Sequence, residues 1–503
     1  MKRDLVFSYC CQAWVALVSL VFVPLYVRYL GIEAYGLIGL FAVINAWLSL
    51  LDIGMSPTLE REMARFTSGK HSGQSIRTLL HTIEVIAFSL AVLITLFVSS
   101  GAGWIANDWL QQSNLPKNTV RHAISIIGFV IGLRFFEGIY RSAIIGLQQQ
   151  AWVSICNAIL QSFRHGGAIV ILVFMSPTIY AFFLWQGVVS VITIVIYTVK
   201  VHSLLPNEGV KARFSIEAIR DVWRYAGGVV GITALALILT QTDKILLSRL
   251  LSLKNYGYYT IASMLAALLF TAIGPIVQTL YPRLVQFHAA ANQESFVKIF
   301  HQGAQLVTIV TAPFLTLAIL FPQEVLFVWL GDHDVAIKTA PIMTPMVLGS
   351  FLNGLMWMPS KAQLAFGWTR LTLKMNLASV IVLIPAIFWI VPIYGAVGAA
   401  WIWVILNCGY VIIGAQLMFR KIMIREAANW YLEDLVRPVI SAVFTGFILL
   451  IFLTFFGGDG RIAQAFQLAI VAFMTFVVAA GTANQLKDMR RTLLKIVSKV
   501  FEK

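Results

Sequence analysis

Long apolar runs separated by short polar connections repeat along the whole chain. Runs of 18 or more mostly apolar residues fall at 5–27, 34–57, 78–99, 122–146, 151–175, 178–200, 226–248, 257–281, 301–322, 339–365, 371–392, 395–418, 438–457 and 462–485. Each is long enough to cross a hydrocarbon layer of roughly 30 Å as a helix. Backbone N–H and C=O groups in hydrocarbon must be satisfied within the protein, which leaves helices as the spanning element for such runs. The pattern predicts an all-α polytopic membrane protein with about 14 transmembrane helices.

Composition agrees: 59% of the 503 residues are hydrophobic and only 12% are charged, which excludes a disordered protein and a cytosolic enzyme. The net charge of +15 raises the question of nucleic acid. Its Lys and Arg residues lie in short loops between apolar runs rather than on a soluble face, so no nucleic-acid partner is expected. Their distribution instead sets orientation. With the N-terminus inside, 24 of the 37 Lys and Arg fall in inside segments, 7 outside and 6 within spans. The excess of positive charge places both termini in the cytoplasm. The first run, too long for a signal-peptide core, reads as a retained span. Cys10, Cys11, Cys156 and Cys408 lie in apolar stretches without metal-ligand or disulfide spacing, so no metal site or cofactor is expected.

The chain also resembles itself. Arg28-Tyr-Leu-Gly-Ile-Glu-Ala-Tyr35-Gly36 matches Arg249-Leu-Leu-Ser-Leu-Lys-Asn-Tyr256-Gly257 at Arg, Leu, Tyr and Gly. The same register pairs Leu59 with Leu280, Met63 with Leu284 and Phe66 with Phe287. Six spans separate equivalent positions, so the halves have the same orientation, as two parallel six-helix bundles. The expected organisation is a first bundle at 1–201, an amphipathic cytoplasmic linker at 202–224 and a second bundle at 225–420. Two further transmembrane helices at 421–485 and a basic amphipathic tail at 486–503 follow. Linker and tail each set apolar residues (Ile216, Ile219 and Trp223; Met489, Leu493, Ile496 and Val500) beside Arg and Lys, a pattern suited to anionic lipid headgroups.

Ionisable residues inside spans are costly and mark functional sites. Six basic residues (Arg134, Arg141, Arg164, Lys244, Lys361 and Lys374) and four acidic ones (Asp52, Glu84, Glu137 and Asp243) qualify, leaving the membrane interior at net +2. Arg134, Glu137 and Arg141 share one helical face by their spacing. A guanidinium fork matches phosphate or carboxylate, so the basic set points to a cationic cavity for an anionic cargo. The four carboxylates are candidates for a coupling Na⁺ or H⁺, or for structural pairing with neighbouring cations. His81 and His165 lack metal-ligand spacing. No phosphate-binding loop is present, and Asp332-His333-Asp334, a motif of some metal-dependent glycosyltransferases, falls in an outside loop. Prolines such as Pro275, Pro313, Pro385 and Pro392, and the Gly395–Gly398 pair, suit kinks and close helix contacts.

The segments Tyr26-Val-Arg28-Tyr-Leu-Gly-Ile-Glu-Ala-Tyr35-Gly36-Leu, Leu51-Asp52-Ile-Gly54-Met-Ser56-Pro57 and Arg61-Glu62-Met-Ala-Arg65 resemble the opening of the Wzx-type polysaccharide flippases. That family belongs to the multidrug/oligosaccharidyl-lipid/polysaccharide exporter superfamily. Asp243-Lys-Ile-Leu-Leu-Ser248 with Tyr256-Gly257 is similar in the same way. The resemblance implies an O-antigen or related flippase of the bacterial inner membrane, not an enzyme. Its cargo would be an undecaprenyl-diphosphate-linked oligosaccharide, moved by alternating access, with a polysaccharide polymerase and a chain-length regulator as candidate partners. Two alternatives stay open. A multidrug or organic-cation antiporter of the same superfamily would favour an acidic cavity. A membrane-embedded glycosyltransferase or polymerase would need a larger outside loop.

Overall fold

The computed structural model describes residues 2–52, 54–110, 115–206, 214–215, 235, 237–456, 458 and 460–484. The amphipathic linker residues Ile216, Ile219 and Trp223 and the tail from residue 486 lie outside them. Two compact units, Met1–Gly257 and Tyr258–Lys503, make up the chain.

Unit 1 holds α1 (Lys2–Leu30), α2 (Ile32–Leu48), α3 (Met55–Thr67), α4 (Gly73–Trp104), α5 (Lys117–Gly146), α6 (Gln150–Phe174), α7 (Ile179–Leu204) and α8 (237–250). Its centre is α5, packed on α3, α4 and α7, while α1 lies along α6. The side chains of Leu59, Met63, Ile76, Leu80, Ala143, Ile144, Tyr197 and Val201 close the core where α3, α4, α5 and α7 meet. By contrast, Phe97 and Phe174 are 76% and 81% exposed. Large apolar side chains turned outward are what a lipid-facing surface requires and what a soluble protein avoids.

The predicted span 34–57 is shorter than expected. Helix α2 ends at Leu48, a 3₁₀ turn carries the chain through Ser49–Asp52, and Gly54 takes the left-handed conformation (φ 73°) before α3. Asp52 therefore sits at a helix junction, where its carboxylate accepts from the backbone N–H and the hydroxyl of Ser56, both at 3.0 Å. Pro57 falls in the first turn of α3, where no backbone donor is lost.

The two similar segments at 28–36 and 249–257 touch. A Cβ at Gly36 would meet the carbonyl oxygen of Leu253 at 2.6 Å, and one at Gly257 would meet the carbonyl oxygen of Ile32 at 2.4 Å. Leu253 occupies the repeat position of Ile32, and Gly257 that of Gly36, so the contact is reciprocal. Here glycine is required by the close approach of two backbones.

Unit 2 holds most of α9 (Leu253–Ala289), then α10 (Gln293–Leu320), α11 (Pro322–Leu330), α12 (His333–Leu355), α13 (Trp357–Ala365) and α14 (Arg370–Gly409). It continues through α15 (Ala415–Phe419), α16 (Ala427–Asn429), α17 (Arg437–Phe456) and α18 (Arg461–Thr482). Helix α10 is its centre, in contact with α12, α17 and α18. Asp332 caps α12, accepting from the Val335 N–H at 3.0 Å, so in Asp332-His333-Asp334 the first carboxylate does a helix cap's work. The segment 427–436, predicted as loop, is helical: a π-helical turn at Trp430–Val436 leads directly into α17.

Among the described residues, 12 helices are long and apolar enough to cross a membrane. The difference from about 14 arises at two places. The first half of predicted span 226–248, residue 235 apart, lies outside the described residues, and spans 371–392 and 395–418 run together as Arg370–Phe419. That 50-residue stretch is kinked at Gly395 (φ 60°, ψ −145°), a conformation that favours glycine. At 1.5 Å per residue it would be about 75 Å long if straight, far more than one bilayer crossing needs.

Candidate functional site: a buried cationic cluster in unit 1

The helical spacing that puts Arg134 and Glu137 on one face of α5 also points both toward α6 and α7. Arg164 of α6 is 3% exposed, and its Nη2 lies 3.4 Å from Glu137 Oε2. The Nη2 of Arg134 donates to Gln186 Oε1 of α7 at 3.0 Å, and its guanidinium carbon lies 4.7 Å from the centre of the Phe41 ring. Trp185, beside Gln186, donates its indole N–H to the Arg164 carbonyl at 3.0 Å. His165 Nδ1 meets the Tyr26 hydroxyl at 2.9 Å.

Arg164 thus pairs with Glu137, while Arg134 is held by the Gln186 amide and the Phe41 ring with no carboxylate in ion-pair contact among the described residues. The Nε–H groups of Arg134 and Arg164 are buried with no hydrogen-bond partner among the described residues. Buried polar groups are normally paired, and buried cations more so, so this is an incomplete constellation. What would complete it is an acceptor with negative charge. Arg134 also lines a cleft of ≈ 210 Å³ with Asn45, Asp52, Ser56, Ile131 and Phe135. That volume is below the roughly 300 Å³ at which small-molecule sites begin. It suits a headgroup rather than an oligosaccharide.

The other predicted residues are placed differently. Arg141, one turn beyond Glu137 on α5, is exposed and makes no hydrogen bond or ion pair among the described residues. Glu84 of α4 accepts from the Tyr140 hydroxyl at 2.9 Å, with His81 Nδ1 at 3.7 Å. Lys244 and Asp243 on α8 pair with each other at 3.3 Å, and the ammonium also donates to the Thr240 carbonyl at 2.7 Å. In unit 2, the Lys361 ammonium lies 5.2 Å from the centre of the Tyr281 ring, and Lys374 is exposed. Of the ten predicted residues, the structure joins Glu137 and Arg164 directly, places Arg134 one helical turn before Glu137 on α5, and sets Asp52 in the same cleft as Arg134. Gln186 and Phe41 complete the cluster without having been predicted. The signal for Gln186 was a lone amide in the apolar run 179–199.

Many helices long and apolar enough to cross a bilayer, with a cationic cluster packed among those of unit 1, define a multi-pass membrane protein. The fold agrees. It superposes on the lipid II flippase MurJ in an inward closed conformation with a TM-score of 0.71 at 14% identity, covering 97% of this chain and 100% of that one. An inward-facing MATE-family multidrug transporter of the MOP superfamily matches with a TM-score of 0.61 at 13% identity, covering 83% and 94%. The chain belongs to the polysaccharide biosynthesis protein family, whose profile matches residues 2–288. A Shigella flexneri protein named "Putative O-antigen transporter" is 21% identical over 397 residues, 79% of this chain and 92% of that one. A Salmonella typhi protein of the same name is 23% identical over 279 residues, 55% and 62% of the two chains. With 12 candidate spans and these relatives, it is a multi-pass protein of the bacterial inner membrane.

Proposed function

We propose that this chain flips an oligosaccharide carried on undecaprenyl diphosphate across the inner membrane by alternating access, with Arg134 and Arg164 holding the diphosphate. The observation that carries this reading is a pair of guanidinium groups, Arg164 against Glu137 and Arg134 against Gln186, each with a buried, unpartnered Nε–H. Phosphate oxygens suit such donors, and a diphosphate offers two anionic groups to two forks. Arg141, exposed further along α5, would meet acidic sugars or the approaching diphosphate. Membership of the polysaccharide biosynthesis family and the names of the enteric relatives support the cargo class. Lys244, Lys361 and Lys374 take lesser parts: the first is already paired, the second lies over a ring, and the third faces outward.

The polyprenyl tail would stay in lipid, and the flipped product would pass to a polymerase and chain-length regulator. For coupling to Na⁺ or H⁺, Asp52 is the carboxylate of choice among Asp52, Glu84, Glu137 and Asp243, since it alone shares the cleft with Arg134 without pairing to a cation. The test measures lipid-linked oligosaccharide reaching the outer leaflet in cells carrying Arg134→Ala, Arg164→Ala or both, at matched membrane levels. The double variant should lose export by at least tenfold. Unchanged export would remove the diphosphate assignment, and export unaffected by gradient collapse would remove coupling. The MATE-like fold favours a second reading, an organic-cation exporter. Saturable binding of a cationic dye at this net-positive site would establish it instead.

A further inference from the structure

Unit 2 has a buried polar cluster of its own. His301, in the third turn of α10, is 4% exposed. Its Nδ1 hydrogen-bonds Asp434 Oδ2, and its Nε2 lies 3.2 Å from Glu426 Oε2. Asp434 is 1% exposed, and its other oxygen accepts from the Gln305 amide at 3.0 Å. Glu426 is partly exposed and also accepts from the Asn429 amide at 2.8 Å. The three groups form a line from solvent to core: Glu426, His301, Asp434.

This geometry fixes a proton count. An ionised carboxylate only accepts hydrogen bonds, and a neutral imidazole has one N–H and one bare lone pair. Both ring nitrogens can be satisfied against carboxylate oxygens only if the cluster carries one proton more than a neutral histidine and two carboxylates. That proton rests on the ring or on a carboxyl. Without it, a lone pair faces a carboxylate oxygen in the interior, where such a clash is costly.

Other charged groups nearby are already engaged or exposed. Glu433, next to Asp434, accepts from Arg437 and from the Asn484 amide, both at 2.9 Å. Lys298 and Arg425 are exposed, and Lys421 lies over the Trp368 ring at 4.2 Å. Helix α13 meets α10 through Met358 at Gly303, with its Lys361 over Tyr281. The ionisable residues of α11, α12 and α18 (Glu324; His333, Asp334 and Lys338; Arg461) sit in their first two turns. Arg461 donates to the carbonyls of Val328 and Trp329, just past the Leu320 end of α10. That end lies about 28 Å from His301 at 1.5 Å per residue.

We propose that Glu426, His301 and Asp434 form an exchangeable-proton site, with Glu426 as its solvent-side entry, His301 as relay and Asp434 as buried acceptor. A proton arriving on the Glu426 carboxyl passes to His301 Nε2 as Nδ1–H hands its own to Asp434 Oδ2. Discharge runs in reverse, and only O–H and N–H bonds change. Because Asp434 belongs to the helical segment Ala427–Phe455 and His301 to α10, occupancy sets how firmly that segment is seated. Nothing in this proposal depends on the identity of the cargo.

The test uses the full chain in lipid nanodiscs with ¹⁵N-labelled histidine, followed from pH 5 to 10, together with thermal unfolding over the same range. One histidine resonance, absent in His301→Gln, should titrate. Its midpoint should fall by at least one pH unit in Asp434→Asn, a tenfold loss of proton affinity. The pH dependence of unfolding should be smaller in His301→Gln than in the parent. If His301→Gln fails to fold, the midpoint shift in Asp434→Asn decides the matter. A His301 resonance that never titrates, or a midpoint indifferent to Asp434→Asn, would overturn the proposal.

Discussion

The sharpest prediction separates the structural role of the Arg164–Glu137 pair from its role in holding an anion. Replacing Glu137 by Gln leaves the Arg164 guanidinium, 3% exposed, without its ion-pair partner at 3.4 Å. At an effective dielectric of about 20, the lost Coulomb attraction is about 5 kcal/mol. Glu137 is itself 17% exposed, and a glutamine keeps a neutral hydrogen bond, so the net loss should be about 3 kcal/mol. Replacing both partners, as Glu137→Leu with Arg164→Met, removes the charges together and should leave stability within about 1.5 kcal/mol of the parent. Export should behave differently. The double variant has lost one of two diphosphate forks and should export at least tenfold less oligosaccharide despite folding normally. The assay pairs thermal unfolding in detergent with surface detection of the exported glycan at equal membrane levels. A double variant as stable as the parent and equally active would refute the view that this cation serves the cargo.

Two further outcomes follow from neighbouring contacts. Gln186→Glu would set a carboxylate where the amide oxygen now lies 3.0 Å from Arg134, bringing the cluster to net zero. Stability should hold or rise while export falls, and a variant with raised export would contradict the anionic-cargo reading. Outside the spans, Glu62 accepts from His71 at 2.7 Å and from Arg65 at 3.0 Å. Burial pushes its carboxyl up, but these hydrogen bonds and charges outweigh burial and hold it below the usual glutamate value. With the folded value depressed, the contribution is present above the unfolded value and fades as pH falls through the folded one. A spin label at Ser68 should therefore gain mobility only at pH below about 4.3, the ordinary glutamate value. In Glu62→Gln that transition should vanish, and a parent-like response there would rule out Glu62 as its source.

Much of the fold was legible because hydrocarbon permits so few backbone solutions: apolar run length alone locates most helices. The i, i+3 spacing of Arg134 and Glu137 likewise followed from helix geometry. What one dimension does not show is that Arg164, 27 residues further on, supplies the partner. Nor does it show that a lone glutamine in the apolar run of α7 completes the cluster. Asp434 escaped notice for another reason. It sits in a run containing Glu426, Glu433 and Arg437, which reads as a solvated connection, whereas the helix begins at Ala427 and buries that one carboxylate against His301. The sequence placed Asp52 within a span, but not at the junction of two helices, where a 3₁₀ turn follows α2 and Ser56 donates to its oxygens.

Gly36 seats on Leu253 and Gly257 on Ile32, so the joint has no room for a side chain on either face. Each segment is the other's packing surface, so a substitution in one is felt by both. A bulkier residue in one segment wedges open the very joint that the other segment also needs. The close approach accounts for the glycine of the Tyr-Gly pair standing at both 35–36 and 256–257.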